Sequence, residues 1–150
     1  MALTMSRLRS LAEEEIFDPH GDPLNMRVRG LNNSYRVLTL LELEGEFLQF
    51  RTIEYHSCPL GHPSLEATIK LLAQLNYRIR FIKFGWDPSD GEIVAYGDVW
   101  LSDGDLTQAQ FNRMRKSFLT HMDLQYLRID LTIETGEDPG PVDPLGHTGT

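Results

Sequence analysis

Residues 65–126 read LEATIKLLAQLNYRIRFIKFGWDPSDGEIVAYGDVWLSDGDLTQAQFNRMRKSFLTHMDLQY. Leu65, Ile69, Leu72 and Leu75, with Leu71 alongside, recur at three- and four-residue spacing. That is one buried stripe of an amphipathic helix. Pro63 suits the first helical turn, where its missing N–H costs little, and Asn76 suits a helix C-terminus. Two strands, 77–86 and 92–101, flank Asp87-Pro88-Ser89-Asp90-Gly91, which has the composition of a turn. Thr107 and Gln110 then stand at capping-box spacing and open a second helix, striped by Phe111, Met114, Phe118 and Met122.

The hairpin can be read for faces because side chains alternate along a strand. With a loop over 87–91, Trp86 pairs with Glu92, Phe84 with Val94, Ile82 with Tyr96 and Arg80 with Asp98. The last is a cross-strand charge pair. One face then carries Ile79, Phe81, Ile93, Ala95, Gly97, Val99 and Leu101 and forms a core. The opposite parity presents Ile82, Phe84, Trp86, Val94, Tyr96 and Trp100. A sheet covered by helices on one side leaves that second face in water, and monomers rarely expose so large an apolar patch. Either another part of the chain covers it or a protein partner does. These six residues are the candidate protein-binding site, since Trp and Tyr suit such a surface.

Upstream, residues 4–17 place Leu8, Leu11, Ile16 and Phe17 near one helical stripe, ended by the breaker cluster at 18–23. Three strands follow, at 24–30, 35–43 and 47–55. Asn32-Asn33 supplies one turn, and Glu44-Gly45-Glu46 supplies the other, with Gly45 available for positive φ. Tyr35, Val37, Leu41 and Leu43 share a parity and meet Leu48 and Phe50. The other face mixes Leu38, Leu40 and Ile53 with Arg36, Glu42 and Arg51. Downstream, Leu127, Ile129, Leu131 and Ile133 alternate with polar residues, which favours a sixth strand over an extended helix. The fold class is α+β: an antiparallel sheet of five or six strands with helices packed on one face, in the order α-βββ-α-ββ-α. Residues 1–134 form a single domain, and 135–150 form an acidic, Pro/Gly-rich disordered tail.

The chain has 150 residues, a length suited to one domain with a real core. Its formal charge of −8, from 14 basic and 22 acidic residues, disfavours a nucleic-acid or anionic-membrane surface. Arg27, Arg29, Arg36 and Arg51 lie in one region but read as scattered charge on strands. A single cysteine, Cys58, allows no intrachain disulfide. The opening MALTMSRLRSLAEEEIF is neither a signal peptide nor a membrane span, so cytoplasmic residence without membrane insertion is expected.

Chemistry is sparse. His56, Cys58 and His62 are the one metal-like cluster, but structural zinc needs four ligands and no further cysteine exists. The same residues make a poor nucleophile pair, because sequence neighbours rarely reach the required geometry. Asp87, Ser89, Asp90 and Glu92 fail the calcium-loop pattern at its glycine and at its final glutamate. No phosphate-binding loop, dinucleotide fingerprint or nucleophile elbow occurs. The expectation is a protein with no catalytic residues, no metal and no cofactor.

The element order is joined by Leu75-Asn76 at a helix end, Phe84-Gly85-Trp86-Asp87 closing a strand and Asp90-Gly91-Glu92-Ile93 at the turn. Leu101-Ser102-Asp103-Gly104-Asp105-Leu106-Thr107 and Gln110-Phe111 complete a pattern that resembles the YbjN-like domain family, related in fold to the type III secretion chaperones. The similarity covers about residues 8–126 and is sharpest over 75–118. It implies a non-catalytic protein. Related chaperones are small, acidic, cytoplasmic homodimers that hold a client segment along their sheet and helix surfaces. Other relatives are regulators, and cyanobacterial members include assembly helpers, as in carboxysome biogenesis. The resemblance therefore implies a homodimeric chaperone or assembly adaptor for a protein client. The alternative class is a regulatory or sensory module that answers a small ligand or metal through its oligomeric state.

Overall fold

The computed structural model describes residues 2–142, and local signals set most of the element ends. Thr4 Oγ1 accepts the Arg7 N–H at 3.1 Å and starts α1 (Met5–Glu13). Leu8, Leu11 and Ala12 are its buried stripe. The helix stops before the expected 17, because Glu13, Glu14 and Glu15 crowd negative charge at its negative end. Ile16 is left 73% exposed.

Next come β1 (Asn25–Arg29), β2 (Ser34–Glu42) and β3 (Phe47–Ile53), all antiparallel. Tyr35, Val37, Leu48 and Phe50 are buried as the alternation predicts, while Leu41 is half-buried and Leu43 sits exposed in the turn. That turn needs a glycine: Gly45 has φ of 92°, and a Cβ there would stand 2.1 Å from the Leu3 carbonyl oxygen. A bulge carries β3 into the two-residue β4 (His56–Ser57). Arg51 faces Tyr96 and His56 faces Ile93, so five steps on one strand match three on the other. Glu54, at φ of 56°, takes the bend and lets Tyr55 turn into the core.

Helix α2 (Leu65–Arg78) buries Thr68, Leu71, Leu72 and Leu75 and runs into the region expected to be strand. Only Lys83–Trp86 forms β5, paired with β6 (Glu92–Trp100). The register differs from the expected one by a residue: Trp86 faces Ile93, and Phe84 faces Ala95. The hairpin closes with one more pair than expected: Asp87 N–H bonds the Glu92 carbonyl at 2.9 Å, which leaves residues 88–91 as the loop. A one-residue slip exchanges the faces of one strand relative to its partner. The Arg80–Asp98 pair therefore does not form, and Asp98 instead accepts Gln49 Nε2 at 2.8 Å.

The last element, α3 (Gln108–Thr135), starts at the expected Thr107–Gln110 capping box. It continues through residues 127–134, so the alternating segment is helix and not a sixth strand. No glycine or proline interrupts it before Gly136, whose φ of 79° ends it. Beyond that cap, Arg128 holds Asp138 through two 2.8 Å hydrogen bonds. The expected tail beyond residue 142 lies outside the described residues.

The sheet runs β1-β2-β3-β6, with β4 prolonging β3 and β5 on the far side of β6. This is the α+β class the sequence implies, with six strands and three helices among the described residues. Helix α2 packs on β5 and α3, and α3 packs on α1 and β6. Phe50 lies at the centre of the core, against Phe81, Phe111 and Phe118.

Candidate functional site

The register divides the six candidate residues between two environments. Ile82 and Phe84 are 0% and 2% exposed and belong to the core beneath α2. Trp86 is half-buried and packs against that core, its Nε1–H donating to the Cys58 carbonyl at 2.8 Å. They share the inner face with Ile93 and Ala95, which the expected pairing had placed opposite them. Val94, Tyr96 and Trp100 remain on the outer face, with Trp100 67% exposed.

That outer face is wider than the hairpin. The register lines up Glu42, Phe47 and Trp100 in one row, and Leu40, Gln49 and Asp98 in the next. Leu38, Arg51 and Tyr96 form a third row, and Arg36 and Ile53 begin a fourth. Phe47 and Trp100 pack with their rings tilted and the centroids 5.0 Å apart. The helices pack on the other side of the sheet, so these side chains stay partly or fully open to solvent.

A second feature, missed from sequence, is the outer edge of β1, which no strand among the described residues pairs beyond an Asp22–Asn25 bridge. Gly30 N–H bonds the Asn33 carbonyl and Thr39 N–H bonds the Leu24 carbonyl. Alternation along β1 then turns the peptide groups of Asn25, Arg27 and Arg29 away from β2. Arg27 N–H is met by the Asp18 carboxylate at 3.2 Å, a side-chain substitute for a neighbouring strand. On the helix side this edge is undercut by two cavities that share Phe17. One, of about 430 Å³, is lined by Ala12, Ile16, Phe17, Pro23 and Met26 among others. The other, of about 350 Å³, is lined by Val28, Tyr35, Leu119 and Met122 among others. The signal in the sequence was the run Met26-Arg27-Val28-Arg29, apolar inward and basic outward.

The corner beside the second cavity is stiff. Asp123 on α3 accepts Leu31 N–H at 2.7 Å, Asn32 N–H at 3.1 Å and the Tyr35 hydroxyl at 2.6 Å. Burial, then the Asp123 hydrogen bond, hold the Tyr35 phenol far above its usual range. Tyr55 donates to the Met122 carbonyl at 2.6 Å and packs edge-on to Tyr126.

The metal-like trio does not converge. His56 stacks on Tyr126 at 4.4 Å, and burial lowers its pKa to about 4. Cys58 is fully buried beside Thr68, where burial raises its thiol pKa, and His62 Nδ1 accepts the Ser64 N–H. Among the described residues no group of three or more His, Cys, Asp or Glu is placed to hold a metal. The Asp87–Glu92 turn spends its carboxylates on its own backbone: Asp87 on Ser89 and Asp90 on Glu92.

The family described as "YbjN: Putative bacterial sensory transduction regulator" matches residues 6–130. The chain belongs to the YbjN family. The crystal structure of YbjN from E. coli aligns with a TM-score of 0.59 at 12% identity, over 86% of this chain and 93% of that one. The heterodimeric ExoU–SpcU complex from the type III secretion system of Pseudomonas aeruginosa aligns at 0.50 and 17%, over 85% and 98%. The ExsC–ExsE complex aligns at 0.51 and 19%, over 86% and 97%. At such identities the likeness is one of fold. No curated protein matches the sequence.

Proposed function

We propose that this YbjN-family protein is a non-catalytic, cytoplasmic chaperone or adaptor that holds an extended client segment along the outer edge of β1. The observation that carries this reading is a strand edge that no strand among the described residues pairs, with two cavities beneath it. A client strand would continue the ladder at Arg27 and Arg29 and drop alternate apolar side chains beside Met26 and Val28. Each such side chain gains about 1.5–3 kcal/mol on full burial. Its other side chains would face Arg27 and Arg29, which favours acidic residues. Two of the similar folds, SpcU with ExoU and ExsC with ExsE, are of proteins in complexes, which supports a protein-binding role. Val94, Tyr96 and Trp100 are a further contact surface on the outer face. No particular assembly is proposed, the carboxysome included, because none of these similar structures is a carboxysome protein.

The test is selection of binding segments from a displayed peptide library, repeated on Arg29→Pro. This change removes an outward N–H and spares the β1–β2 ladder. Selected segments should alternate apolar and acidic residues and bind the variant about tenfold or more weakly. Unchanged binding to a folded variant rules out the edge. A second reading, a regulatory module working through its oligomeric state, draws on the family's description. A shift of the unfolding temperature with added zinc or copper would favour it.

A further inference from the structure

The two cavities beneath the β1 edge differ in charge. The one beside Val28 has a single carboxylate in its lining, Asp123, and that group is spent on the Leu31 and Asn32 N–H groups and the Tyr35 hydroxyl. Arg29 lines the same cavity. The one beside Met26 has apolar walls that include Ile16, Phe17 and Pro23, and its charged lining residues are Glu13, Glu15 and Asp18. Among the described residues none of these three is in a salt bridge, and no lysine or arginine lines the cavity. We infer that the Met26 cavity takes a client arginine, its apolar stem against Phe17 and Pro23 and its guanidinium among the three carboxylates. The inference rests on the edge reading and narrows one of its two inward positions.

Size and chemistry agree with this occupant. The cavity volume of about 430 Å³ lies within the range of about 300–1,000 Å³ usual for ligand sites. A side chain that buries an apolar stem and keeps a charged tip in water matches apolar walls beside the exposed Glu13 and Glu15. Arginine suits the site better than lysine, because its planar fork bonds carboxylates bidentately and stacks on an aromatic ring. Phe17 already carries one such contact, with the Arg115 guanidinium 4.9 Å from its ring centroid. Arg115 itself is buried, bonds the Glu15 carbonyl and is not among the residues lining the cavity. Residues 143–150, DPLGHTGT, hold no lysine or arginine, so that segment is not the occupant. The formal charge of −8 favours a basic group from a partner.

Asp18 ties the cavity to the edge. Its carboxylate accepts the His20 and Arg27 N–H groups, each at 3.2 Å, and a side chain at Gly21 would collide with it. A client strand on β1 takes over the Arg27 N–H with its own carbonyl and frees that carboxylate oxygen. A cation on the same strand gives the oxygen a partner again. Met26 turns its peptide groups toward β2, so the client residue facing it takes a position where opposed side chains are closest. Two positions along, the next inward client residue meets Val28, and the residue between them faces Arg27. The client motif is therefore arginine, acidic residue, apolar residue, in either chain direction.

Peptides selected from the displayed library test this, at about 0.3 M salt so that distant charges are screened. The comparison protein is Glu13→Gln/Glu15→Gln/Asp18→Asn, which keeps side-chain shape and an oxygen for the Arg27 N–H. Circular dichroism checks that it is folded. Peptides selected on the wild type should carry an arginine two residues from an apolar one. Replacing that arginine by methionine should weaken binding to the wild type about fivefold or more and change binding to the triple variant by less than about twofold. Selected peptides with a plain apolar residue at both inward positions overturn the inference. So does a replacement that costs both proteins the same. If either result comes with binding that Arg29→Pro still weakens, the edge reading stands and the cavity assignment alone falls. If the arginine coupling holds and Arg29→Pro binds normally, the cavity assignment stands and the edge reading falls.

Discussion

Mild acid should loosen the docking of α3, and His56 sets the size of the effect. The imidazole stacks on Tyr126, and its Nε2 lies 3.1 Å from the Tyr126 carbonyl oxygen. Burial lowers its pKa from 6.5 to about 4. In the unfolded chain the ring titrates normally, so between about pH 6.5 and 4 the unfolded state holds a proton that the folded state lacks. Stability is therefore greatest, with respect to this group, above about pH 6.5. It falls with pH at up to about 1.4 kcal/mol per unit and levels below about pH 4, a total of about 3 kcal/mol. Urea unfolding at a series of pH values in that window measures the slope directly. His56→Phe keeps an aromatic ring on Tyr126 and removes the titration, so its stability should lack this decline. Identical pH dependence in the two proteins would refute the reasoning, because it would mean that the folded and unfolded rings titrate alike.

Asp123→Ala strips three acceptor contacts from the β1–β2 turn and from Tyr35, and should cost about 2–4 kcal/mol in urea unfolding. Gly45→Ala puts a methyl group against the Leu3 carbonyl at positive φ, and should lower the unfolding temperature by the equivalent of at least about 1 kcal/mol. Arg115→Met should leave stability unchanged or raise it. Arg115 is 1% exposed, its Nε and Nη1 lack partners among the described residues, and its charge is offset by one bond to the Glu15 carbonyl and by cation–π contacts with Phe17 and Phe111. Thermal unfolding checks it, and a loss above about 3 kcal/mol would show that those contacts outweigh the buried charge.

The order of elements was legible because its signals are local: the Thr107–Gln110 box, the stripe on α2 and the glycine at position 45. The faces of the second hairpin were not. They depend on whether the loop takes the five residues 87–91 or only 88–91, and one hydrogen bond from Asp87 to Glu92 decides that. Through that single residue Ile82 and Phe84 moved from the candidate surface into the core. Residues 127–134 misled for a different reason. Strict alternation fits a strand, but a capped helix without a breaker propagates through it, and its burial falls at Ile129 and Thr132. The β1 edge was invisible because one of its two cavities is closed by Leu119 and Met122, about ninety residues downstream.

Amide hydrogen exchange on the protein with and without a selected client peptide tests the central claim most directly. The claim predicts new protection at the outward amides of Arg27 and Arg29, with the Asp18 contact to Arg27 replaced by the peptide. Binding that leaves β1 unprotected, and slows exchange elsewhere instead, would contradict it.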